Sequence, residues 1–163
     1  MKIAAAAAAA FCIAALGAMP AAAVTYPAGG VTAADVAAAL KDQGLEAEIS
    51  IDDWGDPLIK SGSGPRTWHI LFYDCDSRKT RCASYQFRIG LDLSNGITHA
   101  RCNEWNDTKR FARCMLDDEM DPYLKWDLEA VNGFTSEALA ASIEHWTAIV
   151  PGFASFARSE SST

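Results

Sequence analysis

The most regular pattern in the chain is an alternation over 45–51, where Leu45, Ala47, Ile49 and Ile51 are separated by Glu46, Glu48 and Ser50. A period of two sends successive side chains to opposite faces, so the segment predicts a half-buried strand. Ahead of it, Val36, Ala39 and Leu40 recur at helical spacing within 31–44. Thr32 is placed to cap that helix, Asp35 to return the capping-box bond, Val31 to staple onto Val36, and Gly44 to stop it. After the strand, Asp52-Asp53-Trp54-Gly55-Asp56-Pro57 reads as a turn, 58–61 as a short strand and 62–65 as a link. The run 67–73 is dense in β-formers and predicts a central strand. Tyr85, Phe87, Ile89 and Leu91 alternate with Gln86, Arg88 and Gly90 to give the next strand, and Asn95-Gly96 turns the chain.

In the second half, 98–106 predicts a short helix whose apolar face is thin, only Cys102 and Trp105. Strands follow at 111–116 and 123–128, the latter alternating Leu124, Trp126 and Leu128 with Lys125 and Asp127, across an acidic turn at 117–122. The last helix is capped by Thr135, stapled by Phe134 to Leu139, and carries Leu139, Ile143, Trp146 and Val150 on its core face until Pro151-Gly152. Residues 26–30 read as a loose Pro/Gly leader and 158–163 as a disordered tail. The order is α-β-β-β(-β)-α-β-β-α. Short turns between consecutive strands imply antiparallel pairing, hence an α+β fold: one twisted antiparallel sheet flanked by helices, a single domain over 31–157.

The first 23 residues stand outside this pattern. Lys2, the alanine-rich apolar run 3–17 and the small residues Ala21-Ala22-Ala23 after Pro20 have the order of an export signal, with cleavage after Ala23. The run is too short to span a bilayer, which takes about 20 residues, and no second such run follows. A periplasmic or secreted protein is expected, without stable membrane insertion after cleavage. The whole chain has formal charge −7; residues 1–23 carry Lys2 and no acid, so the remainder carries −8. That charge repels phosphate backbones and argues against a nucleic-acid partner, and the lack of a basic run argues against anionic lipid surfaces.

Cysteine use agrees with export. Cys12 leaves with the signal, and Cys75, Cys82, Cys102 and Cys114 remain. No CxxC knuckle is present, and an oxidising compartment favours disulfides over a thiolate metal site. Of three connectivities, Cys75–Cys82 and Cys102–Cys114 are expected. Cys75 ends one predicted strand and Cys82 begins the next, across the polar segment Asp76-Ser77-Arg78-Lys79-Thr80-Arg81; Cys102 lies on the short helix and Cys114 on the strand that doubles back beneath it.

The search for reaction chemistry finds no catalytic residue, cofactor motif or metal site. His69, His99 and His145 fall in three different elements, and His69, inside an apolar strand, reads as a packed or hydrogen-bonded residue. There is no Gly-x-Ser-x-Gly elbow. An EF-hand loop starting at Asp117 would need Gly and Glu where Pro122 and Leu128 stand, so Asp117-Asp118-Glu119-Met120-Asp121 reads as a solvated turn. Asp52, Asp53 and Asp56 are likewise turn residues. Of five tryptophans, Trp68, Trp126 and Trp146 occupy core positions; Trp54, in a turn, is the candidate binding residue.

Several segments together resemble the YbjN domain family, bacterial proteins described as sensory transduction regulators. They are Val31-Thr32-Ala33, Asp52-Asp53-Trp54-Gly55-Asp56-Pro57, Phe72-Tyr73-Asp74-Cys75 with Cys82 and Gln86-Phe87, Trp105-Asn106 with Arg110-Phe111-Ala112, Leu116-Asp117-Asp118, Asp127-Leu128, and Gly133-Phe134-Thr135. The export signal, Cys102 and Cys114 depart from the family pattern. The resemblance implies a fold similar to type III secretion chaperones and no enzymatic activity. The function it points to is an exported binding or regulatory module with chaperone-like recognition of a protein partner, homodimerisation remaining open. The competing reading is a small carbohydrate-active or hydrolytic enzyme using acidic loop residues, which requires two carboxylates converging in one cleft.

Overall fold

Thr32 does cap the first helix. Its hydroxyl accepts from the Asp35 amide at 3.0 Å, and the Asp35 carboxylate accepts from the Thr32 amide at 3.3 Å. At the other end the Gly44 amide bonds to Lys41 O (2.9 Å) and the Leu45 amide to Leu40 O (3.0 Å). These two bonds make a Schellman stop, for which Gly44 supplies the positive φ of 75°. The chain, a computed structural model describing residues 24–161, continues from this helix into an antiparallel sheet. The expected export signal at 1–23 lies outside the described residues.

The order is β1 (Thr25–Tyr26), α1 (Ala33–Asp42), β2 (Glu46–Ile51), β3 (Pro57–Ser63), β4 (Arg66–Cys75), β5 (Cys82–Gly90), α2 (His99–Thr108), β6 (Arg113–Leu116), β7 (Pro122–Glu129), β8 (Phe134–Thr135) and α3 (Ser136–Ser161). Six strands form one antiparallel sheet in the order β2-β3-β4-β5-β7-β6, and β1 pairs with β8. The expected α+β class and sheet are therefore present.

One face of the sheet carries the core. Ile59, Trp68, Ile70, Phe72, Tyr85, Phe87, Ile89 and Leu124 are buried on it, meeting Val36 and Leu40 of α1 and Leu139, Ile143, Trp146 and Phe153 of α3. Trp146 stacks on Phe87 at 5.4 Å between centroids and meets Trp68 edge-on at 6.1 Å. On the same side, Trp105 of α2 packs edge-on against Phe153 at 5.0 Å. Burying large aromatics of this kind contributes about 1.5–3 kcal/mol each. The strand neighbours of these residues point to the opposite face and are half-buried or exposed. Among the described residues, the helices cover one face and leave the other open.

Both expected disulfides are present, Cys75–Cys82 joining β4 to β5 and Cys102–Cys114 tying α2 to β6, with Cα atoms 3.8 and 5.4 Å apart.

Four local expectations need correction. The leader is not loose: β1 pairs with β8, the Gly29 amide bonds to Val131 O at 2.8 Å, and Val31 and Cys82 exchange backbone bonds of 3.0 and 2.9 Å. Helix α3 does not stop at Pro151. It runs on through Ser161 and takes in most of the segment expected as a tail, because Phe153, Ala154 and Ala157 beyond the proline are fully buried and offset its missing hydrogen bond. Phe111 is not in a strand; it has φ 72° and is half exposed, against Trp126 and His145. Finally, β2 forms where the alternation places it but is not half-buried. Leu45 and Ala47 reach the core, whereas Ile49 and Ile51 extend past it and are 50% and 72% exposed.

Candidate functional site

The acidic turns have structural duties. Asp52 Oδ1 accepts from the amides of Trp54 (3.0 Å) and Asp56 (2.9 Å), and Asp117 Oδ1 accepts from Glu119 (3.0 Å) and Asp121 (2.9 Å). Asp76 repeats the device with Arg78 and Thr80, and these backbone and side-chain bonds, the Thr80 amide first, hold its carboxyl below the ordinary range. In each turn the third residue after the aspartate, Gly55, Met120 or Lys79, takes positive φ. Asp56 also pairs with Lys79 at 2.6 Å. The Asp52 turn joins β2 to β3, and the Asp117 turn joins β6 to β7 at the opposite end of the sheet. The two sets of carboxylates required by the hydrolase reading do not converge. Among the described residues, no cluster of His, Cys, Asp or Glu could hold a metal ion.

The two sheet edges differ. On β6, the Asn106 side chain of α2 accepts from the Cys114 amide (2.8 Å) and donates to Cys114 O (3.1 Å), standing in for a neighbouring strand. Among the described residues, strand β2 pairs only with β3. Ile49 and Ile51 lie exposed along it, and Trp54 at the end of the hairpin is 79% exposed. The sequence-predicted contact residue thus belongs to an apolar edge that the alternation of β2 alone would have placed in the core.

A third feature was not anticipated. Strand register sets Lys60 opposite His69, His69 opposite Arg88, Arg88 opposite Lys125, and Lys125 opposite Arg113. All five point away from the helices, since Ile59, Ile70, Phe87, Leu124 and Cys114, next to them in sequence, are buried on the other face. None of the five is in an ion pair among the described residues. A cleft of about 480 Å³ opens at the middle of this row, lined by His69 and Arg88 with Leu58, Leu71 and Leu91 as apolar walls. Tyr123 closes one side. Its ring lies across Gly90, where a Cβ would come within 2.6 Å of it, and the Arg88 guanidinium stacks on it at 4.5 Å. Burial first, then Lys60 and Arg88, pushes the His69 pKa down. Burial first, then Arg88, does the same to Lys125, partly countered by Asp127. His69 is accordingly neither packed in the core nor hydrogen-bonded among the described residues. It is half-buried in a cleft on the open face. The alternation in β4, β5 and β7 already puts these polar residues on one face; only register makes them neighbours.

Comparison with known proteins adds one match. The profile of the YbjN family, described as "Putative bacterial sensory transduction regulator", matches residues 32–156. No curated protein and no solved structure matches the chain.

Proposed function

Because the chain belongs to the YbjN family, we propose that it is a non-enzymatic regulatory module, working after export, that recognises a protein partner through the free edge of β2. The family description names a regulator and no reaction. The observation that carries partner binding is the edge itself: among the described residues β2 is paired on one side only, with Ile49 and Ile51 on it and Trp54 in the turn that follows at 50, 72 and 79% exposure. Unpaired edges with exposed apolar residues template strand addition, and proteins ordinarily blunt them. An extended segment of the partner would take main-chain bonds from β2 and cover the two isoleucines with alternate side chains. Such capture of an extended client is what the secretion-chaperone-like fold implied by the family resemblance leads one to expect. Export is supported by the apolar leader at 3–17, the Ala21–Ala23 pair and two disulfides, which persist in oxidising compartments. Among the described residues no helix is long and apolar enough to cross a membrane.

The test places a photo-crosslinking residue at Trp54 in protein recovered from the periplasm, whose N-terminus should be Val24. The expected adduct is with a different protein, maps to an extended segment of it, and drops roughly tenfold when Ile51→Lys is added. Ile51 is exposed, so that variant should melt like the parent. Adducts that ignore Ile51→Lys would refute the edge as the site, and adducts only between copies of this chain would assign it to dimerisation instead.

A further inference from the structure

The row Lys60–His69–Arg88–Lys125–Arg113 is costly as it stands. Like charges directly opposite one another on a sheet are destabilising, and Arg88, Lys125 and Arg113 face one another in register, whereas His69 has its pKa pushed down and Lys60 faces Glu48 on β2. With 21 acidic residues against 14 lysines and arginines, acids to alternate with the three central cations are not scarce. Adjacent strands are about 4.8 Å apart, so five side chains in register span roughly 19 Å. Among the described residues, the carboxylates lining the cleft are Asp92 and Asp121, and Asp121 Oδ1 already accepts from the Leu93 amide at 2.9 Å. Cationic side chains are thus gathered on the open face of an otherwise acidic protein, with none of the five in an ion pair among the described residues. His69 and Arg88, in the middle of the row, line the cleft.

We infer that this cleft binds a small organic oxyanion, a carboxylate or phosphate monoester, whose charged head meets Arg88 and His69 and whose apolar body lies on Leu58, Leu71 and Leu91. The volume of about 480 Å³ is within the range that small-molecule sites occupy, roughly 300–1,000 Å³. Arg88 is prepositioned for the head: stacking on Tyr123 fixes the guanidinium plane, and a planar fork of donors matches an oxyanion. Gly90 belongs to the same device, since any side chain there would displace the Tyr123 ring. The apolar walls demand more than a bare ion. This site is on the face away from the helices and does not depend on the β2 edge, so it supplies a ligand that a regulator would sense, separately from its partner.

Calorimetric titration of the purified protein with monohexyl phosphate, hexanoate, 1-hexanol and inorganic phosphate tests the inference. At least one of the two amphiphilic anions should bind, and the alcohol and the bare phosphate should each bind roughly tenfold more weakly or worse, since each lacks one half of the recognition. Affinity should fall with added salt. Arg88→Gln should weaken binding roughly tenfold or more by removing the charge-assisted bonds. If that variant fails to fold, His69→Ala, a half-buried position that lines the same cleft, should still weaken binding measurably, while Arg78→Gln on the remote β4–β5 loop should leave it unchanged. The inference is overturned if neither amphiphile binds at millimolar concentration, if the alcohol binds as well as the anions, or if folded Arg88→Gln and His69→Ala bind like the parent.

Discussion

At the scale of single residues, position in the sheet gives His69 a measurable role. Burial first, then Lys60 and Arg88 on the flanking strands, lowers its pKa from the ordinary 6.5. Asp92, Asp121 and Tyr123 line the same cleft, but the net effect is a proton held more weakly in the folded state than in the unfolded chain. Where the unfolded state binds more protons, stability rises with pH. The contribution is therefore fully present above about pH 6.5 and is lost as pH falls through the lowered value in the fold. His69→Gln should flatten that part of the stability profile, read as urea midpoints on either side of about pH 6.5. An unchanged slope would place the titration elsewhere. The aspartates act differently: Asp52, Asp76 and Asp117 each give one carboxylate oxygen to two turn amides. That accounts for acidic turns that a motif search could mistake for metal loops.

Among the elements, α3 shows local propensity losing to packing. Pro151 cannot donate to the carbonyl four residues back, and a proline inside a helix costs about 3 kcal/mol. The helix continues because the turn beyond it carries Phe153, Ala154 and Ala157, all fully buried, and Phe153 meets Trp105 across the α2 interface. Pro151 itself is exposed, so its ring contributes no core packing. Pro151→Ala should restore the hydrogen bond and relieve the steric clash while giving up the proline's restriction of the unfolded chain, worth about 0.4–1 kcal/mol. The expected result is a net gain of about 2 kcal/mol in chemical denaturation; a loss of stability would mean that a bend at Pro151 is needed to seat α3 on the sheet.

For the whole molecule, the two disulfides do unequal work. Cys75–Cys82 closes a hairpin already held by β4–β5 pairing. Cys102–Cys114 anchors α2, whose buried side chains are only Cys102 and Trp105, to the edge strand β6. Closing loops this short stabilises by about 2–3 kcal/mol each in the chain-entropy account. Cys102→Ala with Cys114→Ala should therefore release α2 first, seen as faster amide exchange across 99–108, whereas Cys75→Ala with Cys82→Ala should lower global stability without selectively exposing α2. Equal protection of α2 in both double variants would contradict this division.

What the sequence determined by itself is whatever depends on residues a few positions apart. The Thr32–Asp35 box, the Gly44 stop, the alternation that builds β2, β5 and β7 and sorts their faces, and the Cys75–Cys82 hairpin bridge were all legible, because each is a local bond or a period. The Cys102–Cys114 pairing followed one step further, from a strand expected to double back under its helix. Tertiary structure decided the rest. Strand order β5-β7-β6 and the register that aligns Lys60, His69, Arg88, Lys125 and Arg113 join residues from five strands, and no local pattern encodes which cation faces which. The same reason explains Ile49 and Ile51: alternation assigns them to the core-side face, but only the placement of α1 and α3 decides how far along β2 that face is covered.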